Sequence, residues 1–215
     1  MSLETYLGPE KNILAEGPLH CHKLKVKKPI LTNEELAKIR DIKSKGFKTK
    51  MISLLFCAKG GSACGKKADV GKEFSQRLDK ICKEVELAIK RGYTFIILSD
   101  RGVNKDYAAI PALLAVGSVH HHLVRKALRT QIGIIVESAE PREVHHFALL
   151  FGYGADCINP YLAYAAVNYL VEAKEIALDR KTALHNYIKA VEKGILKILS
   201  KMGISTLQSY RGAQI

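Results

Sequence analysis

The chain has 215 residues, of which 47% are hydrophobic and 26% charged, and it carries 34 Lys and Arg against 21 Asp and Glu for a net charge of +13. Its length suits one sizeable domain, at roughly 100–200 residues per domain, and its composition excludes a disordered chain. No apolar run approaches the ~20 residues of a membrane span, and Met1-Ser2-Leu3-Glu4-Thr5 lacks the basic and apolar regions of an export signal, so a cytoplasmic protein is expected.

Residues 1–50 read as an irregular lead-in. Gly8-Pro9 and Gly17-Pro18 mark turns, Pro29 interrupts any strand, and Thr32-Asn33-Glu34-Glu35 offers a helix start ahead of Leu36 and Ile39. Met51–Phe56 is a short apolar run, a buried strand, followed by the polar loop Gly60-Gly61-Ser62-Ala63-Cys64-Gly65. Phe74, Leu78, Ile81, Val85, Ala88 and Ile89 then recur at helical steps until Gly92. Thr94–Leu98 is a second strand, Pro111–Arg129 a second helix, and Gly133–Val136 a third strand. Pro141 opens a third helix at a first-turn position, Asp156–Ile158 is a fourth strand, and Pro160 opens a fourth helix.

Strand and helix thus alternate four times. Continuous apolar strands joined by crossover helices predict an α/β fold with an open parallel sheet, like part of a (β/α)8 TIM-type barrel. Leu184, Ile188, Val191, Ile195, Ile198 and Met202 form one stripe on a long C-terminal helix over 181–202, stopped by Gly203. Ile204–Leu207 has strand-like composition. The expected organisation is a lead-in over 1–50, a parallel core over 51–172 and a helix with an apolar tail over 173–215, all one domain. The stripe and the tail residues Ile204, Leu207, Tyr210 and Ile215 need a covering surface, so self-association or binding to a neighbouring domain is expected.

In parallel α/β sheets, ligands collect at the carboxyl ends of strands. Those ends deliver Ser99-Asp100-Arg101-Gly102, then Glu137-Ser138-Ala139-Glu140 with Arg142, then Asn159. Carboxylates beside arginines can position an acid or a phosphate, or simply pin loops by ion pairs. His120, His121 and His122 are consecutive, with His145 and His146 further on. Consecutive helical residues point ~100° apart, so the three cannot share one metal; a site combining the two groups is the remaining metal arrangement. The ordinary alternative is histidines bonded to backbone or carboxylates. The dispersed lysines, among them Lys23, Lys25, Lys27, Lys28, Lys66 and Lys67, and the absence of tryptophan argue against nucleic acid. Five cysteines, Cys21, Cys57, Cys64, Cys82 and Cys157, read as reduced thiols, with Cys82 and Cys157 as core fillers.

Several long motifs resemble the large subunit of glutamate synthase: MSLETYLGPEKNIL, HCHKLKVKKPILTNEEL, ILSDRG, PALLAVGSVHHHLVRKALRT, GIIVESAEPREVHHFALLFGYGADCINPYLA and KGILKILSKMGISTLQSYRGAQI. They run nearly end to end and correspond to the later part of the central domain, up to near the junction with the FMN-binding synthase domain. The resemblance implies a piece of an oxidoreductase for glutamate biosynthesis and nitrogen assimilation. In the complete family enzyme, a glutaminase domain releases ammonia, an internal channel carries it, and an FMN- and iron–sulfur-containing synthase domain makes glutamate from 2-oxoglutarate. The central domain is expected to act as scaffold and coupling element between those domains, its partners. No cofactor or metal and no bond-making residue is expected here, and the chain alone is not expected to be catalytically complete. Asp100, Arg101, His120–His122, Glu137, Arg142 and Tyr161 lie in family motifs as candidate interface or strand-end residues, together with His145 and Asn159.

The sequence shows neither the N-terminal cysteine nucleophile nor the three-cysteine cluster motif of the complete enzyme. Ala139, Pro141 and the Cys/Gly/Lys-rich loop at 57–72 depart from the family pattern. The competing readings are a basic α/β module that binds an anionic metabolite or nucleic acid, and a metal-dependent enzyme using the histidines.

Overall fold

The computed structural model describes residues 1–12, 14–58 and 69–213; the expectations for the loop at 60–65 and for Ile215 lie outside them. The first fifty residues contribute β1 (Thr5–Leu7) and β2 (Leu24–Val26), paired antiparallel, and helix α1 (Asn33–Arg40). Thr32 and Glu35 close a reciprocal capping box at the start of α1, which satisfies two otherwise orphan amides.

The core begins with β3 (Thr49–Ser53), β4 (Leu55–Cys57) and α2 (Val70–Lys90). It continues with β5 (Phe95–Ser99), β6 (Tyr107–Ala109), α3 (Ala112–Arg125), β7 (Gly133–Glu137), α4 (Val144–Gly152), β8 (Cys157–Asn159) and α5 (Tyr161–Glu172). Helices α6 (Arg180–Lys201) and α7 (Leu207–Tyr210) close the chain. Strands β3, β5, β7 and β8 form one parallel sheet in that spatial order. Sequential order in space is the progression of a barrel wall, and Ile30 extends it by a parallel bridge to Ile158 beyond β8. Among the described residues the sheet does not close.

Side chains alternate across the sheet. Ile52, Ile96, Leu98, Ile134, Val136 and Ile158 pack with residues of α2, α3, α4 and α6. Phe95, Ile97, Ile135 and Cys157 face the other way, onto Leu7, Leu31, Leu36 and Ile39. A complete barrel buries this inner face against its remaining strands. Here the lead-in fills that space, each large side chain contributing roughly 1.5–3 kcal/mol by burial.

Several local expectations are corrected. The run 51–56 is not one strand: the Leu54 amide still bonds Ser99 O of β5, but its carbonyl accepts from the Ile110 amide, and β4 beyond it pairs antiparallel with β6. The helix expected over 111–129 stops at Arg125, because Ala127 takes a positive φ of 54°. Pro141 does not open α4; the His146 ring accepts from the amides of Arg142 and Glu143, so the helix starts at Val144. Ile204–Leu207 is not a strand but a single Ser2–Thr206 bridge followed by α7. Much of the α6 stripe is covered from within: Ile188, Val191 and Ile195 are buried with the core, while Leu184, Ile198 and Met202 are half-buried; Leu199 beside the stripe and Leu207 of the tail are buried as well. Cys57 is disulfide-bonded, so reduced thiols are Cys21, Cys82 and Cys157 among the described residues.

Candidate functional site at the strand ends

The register of the sheet assembles the polar group. Ser99 lies beside Glu137, and Glu137 beside Asn159, which places the three on the same sheet face. Glu137 is 2% exposed. Its carboxylate accepts from Ser99 Oγ at 2.5 Å and from Arg101 Nε. The Arg101 guanidinium in turn lies 4.0 Å from the Tyr161 ring centroid, a cation–π contact.

Asp100 is the second buried carboxylate, 3% exposed. It accepts from Ser138 Oγ at 2.6 Å and from the Ala139 amide at 2.9 Å. Burial, then the neighbouring Asp100, raises the Tyr161 hydroxyl above the usual tyrosine range. Glu140 accepts from the Ala112 amide at the start of α3, and its burial raises its pKa. Asn159 donates to Leu31 O at 2.9 Å and to Asn33 Oδ1 at 3.0 Å, which fastens the lead-in to β8; its own Oδ1 is buried without a partner.

Asp100, Arg101, Glu137 and Asn159 therefore come together, joined by Ser99, Ser138 and Tyr161. The histidines do not join them. His120 sits near the other end of the sheet, its Nδ1 accepting from Arg129 Nε at 3.0 Å. His121 makes an edge contact with His120. His122 meets Glu86 at 3.2 Å, a contact that lowers the Glu86 pKa. Arg142 and His145 are exposed. Among the described residues no three His, Cys, Asp or Glu side chains are grouped as metal ligands.

A second polar cluster, around Asp156, lies at the amino ends of the strands. Asp156 accepts from the Ile134 amide at 2.6 Å and from Arg129 Nη2 at 3.3 Å, and pairs with Arg211. Arg129 also donates to Ile132 O and Gly154 O, and Arg211 to Thr5 Oγ1. Sequence reasoning passed over Asp156 and Arg129; the only local signal was a carboxylate at the entrance to an apolar strand.

The strand-end carboxylates are engaged by hydroxyls, amides and a guanidinium. Cys157 is fully buried, which pushes its thiol well up. Fold and site together define a partial (β/α) barrel whose inner face and strand ends are closed by its own residues. A flavocytochrome b2 variant with benzoylformate shares this fold, with a TM-score of 0.51 at 14% identity over 60% of this chain and 31% of the other.

Residues 1–215 match the glutamate synthase central domain, and the chain belongs to that family. It is 41% identical to the glutamate synthase (NADPH) large chain of Bacillus subtilis, covering 100% of this chain and 13% of that one. It is 40% identical to the glutamate synthase (NADH) of Schizosaccharomyces pombe, covering 100% and 10%. It is 38% identical to the ferredoxin-dependent glutamate synthase of Pyropia yezoensis, covering 100% and 14%. The chain thus spans 10–14% of the length of these relatives. No described helix is long and apolar enough to cross a membrane.

Proposed function

We propose that the chain is the scaffold and coupling element of a glutamate synthase, seated between a glutaminase unit and a synthase unit, with the bond-making chemistry in those units. The observation that carries this reading is the closed strand-end group. Glu137 and Asp100 are each engaged by several donors within the chain. They hold loops in place, and the Ser99 and Ser138 hydroxyls that donate to them are themselves buried, 3% and 0% exposed, with no open path to a substrate.

The same residues do not fit FMN. Its phosphate would meet the carboxylates of Glu137 and Asp100 at the strand ends, and its ring system would have to displace Leu31 from a filled inner face. In this reading flavin and iron–sulfur cluster belong to the synthase unit, and the chain by itself has no visible flavin absorbance. It also releases no ammonia from glutamine.

Contact with the other units has a candidate surface on α5. Leu162 is 48% and Tyr169 67% exposed, with the exposed Ala165 and Ala166 between them; Glu172, paired with Arg180, borders this apolar stretch. The test is Leu162→Glu with Tyr169→Glu in the complete enzyme, comparing glutamate formation from glutamine with that from ammonia. Surface substitutions of this kind usually change stability by less than ~0.5 kcal/mol. A fall in the glutamine-dependent reaction with the ammonia-dependent one retained is expected; an unchanged ratio counts against α5 as the coupling surface. Stoichiometric flavin in the isolated chain would overturn the scaffold reading itself.

A further inference from the structure

The cluster around Asp156 opens into a cavity of about 220 Å³ at the amino ends of the strands, away from the group at the carboxyl ends. We propose that this cavity, walled by His120, Arg129, Thr130, Gln208 and Arg211, binds a small oxyanion, a phosphate or carboxylate group.

Charge supplies the first argument. Two guanidiniums, Arg129 and Arg211, face one buried carboxylate, Asp156. The Asp156 oxygens are already taken by both arginines and by the Ile134 amide. Glu10 at the rim is held by Lys23 at 3.3 Å. One positive charge is left over in a partly desolvated place, where an oxyanion is favoured.

Unused donors supply the second. The Arg211 side chain is 10% exposed, and its Nε–H is buried without a partner. The bond from Arg129 Nε to His120 Nδ1 places the neutral ring's proton on Nε2, which has no partner among the described residues. Burial, with Arg129 second, lowers the His120 pKa to about 4, so near neutral pH the ring is a neutral donor. A buried N–H left unsatisfied is costly, and an anionic acceptor would satisfy it. Thr130 and Gln208 add exposed polar groups at the mouth.

The test is an NMR titration of the ¹⁵N-labelled chain, following the Arg211 Nε–H and His120 Nε2–H signals. Sodium phosphate and sodium acetate are added separately, with sodium chloride at matched ionic strength as reference. Saturable shifts with phosphate or acetate but not with chloride are expected, and the tighter of the two identifies the ligand class. Arg211→Lys keeps the charge but loses the Nε–H, and should weaken binding about tenfold. Gln208→Ala, on the exposed rim, serves as the folded variant if Arg211→Lys is unstable, and should also weaken binding. Signals that do not move, shifts shared with chloride, or binding unchanged in a folded variant would each overturn the proposal.

Discussion

Arg211, in the C-terminal tail, reaches back to the carboxylate of Asp156 at the entrance to β8, and its other Nη bonds Thr5 in β1. One side chain thereby fastens the end of the chain, its first strand and the central sheet together. Asp156 is the centre of that fastening: its side chain is 4% exposed, and Arg129 meets its other oxygen at 3.3 Å. Asp156→Ala leaves two guanidiniums without their counter-charge and the Ile134 amide without an acceptor. A loss of about 3–5 kcal/mol is expected, measured by urea unfolding. Arg211→Ala removes one of three donors and should destabilise less. The reverse order of the two effects would contradict this account.

Helices α4 and α6 touch at Gly194. A methyl group there would lie 2.4 Å from Val144 Cγ2 and 2.7 Å from Cγ1. Gly194→Ala should destabilise by about 1–3 kcal/mol through overpacking, despite the better helix propensity of alanine. Adding Val144→Ala should recover part of that loss, and a double-mutant cycle by thermal unfolding would detect the coupling.

Gly154 has a φ of +111°, and a Cβ on it would come within 2.3 Å of His120 Nδ1. Backbone strain and collision act together here. Gly154→Ala should both lower the unfolding midpoint and break the contact between Arg129 and His120, visible as a change in the His120 ring signals. A stable Gly154→Ala variant with unaltered ring signals would show the loop to be more yielding than its geometry implies.

His120 makes stability pH-dependent. Its pKa of about 4, lowered by burial and by Arg129, His121 and Arg211 against Asp156, lies below the ordinary 6.5. The unfolded chain therefore takes up this proton first as pH falls. The contribution is fully present above pH 6.5 and is lost between about 6.5 and about 4. Glu140, whose burial raises its pKa, works in the opposite direction and is common to both proteins compared. His120→Gln, which retains an acceptor for Arg129, should flatten the decline in urea midpoint over that interval. An equal decline in both proteins would assign it to other groups.

The inner face of the sheet depends on the lead-in. Leu31 is 2% exposed and packs with Leu36 against Phe95 and Ile97. Leu31→Ala should cost about 2–5 kcal/mol by transfer and cavity terms. Binding of a hydrophobic dye should rise as the face is loosened, and unchanged unfolding would mean that the lead-in is dispensable.

The alternation of apolar strands with amphipathic helices is written locally, in side-chain periods of about 2 and 3.6, and could be read residue by residue. The same holds for the α1 cap at Thr32, for the helix stop at Gly203 with its φ of +70°, and for the motifs that carry the family resemblance. The approach of Ser99, Glu137 and Asn159 follows once the strands are known to be parallel and in register. The break at Leu54 was not legible, because its carbonyl accepts from the amide of Ile110, far along the chain; at Pro141 the His146 ring, one turn on, accepts from the amides of Arg142 and Glu143 and delays the helix.

What the sequence determined by itself was the alternation of the four core strands with their helices, the open parallel sheet and the polar strand ends, since these rest on neighbours along the chain. Tertiary structure alone decided that the lead-in fills the inner face, that much of the α6 stripe is covered from within, and that Arg129, Asp156 and Arg211 meet. Those contacts join segments far apart in sequence. They depend on which surfaces the folded sheet leaves unburied and on which charges it brings out of water, and no local pattern records either.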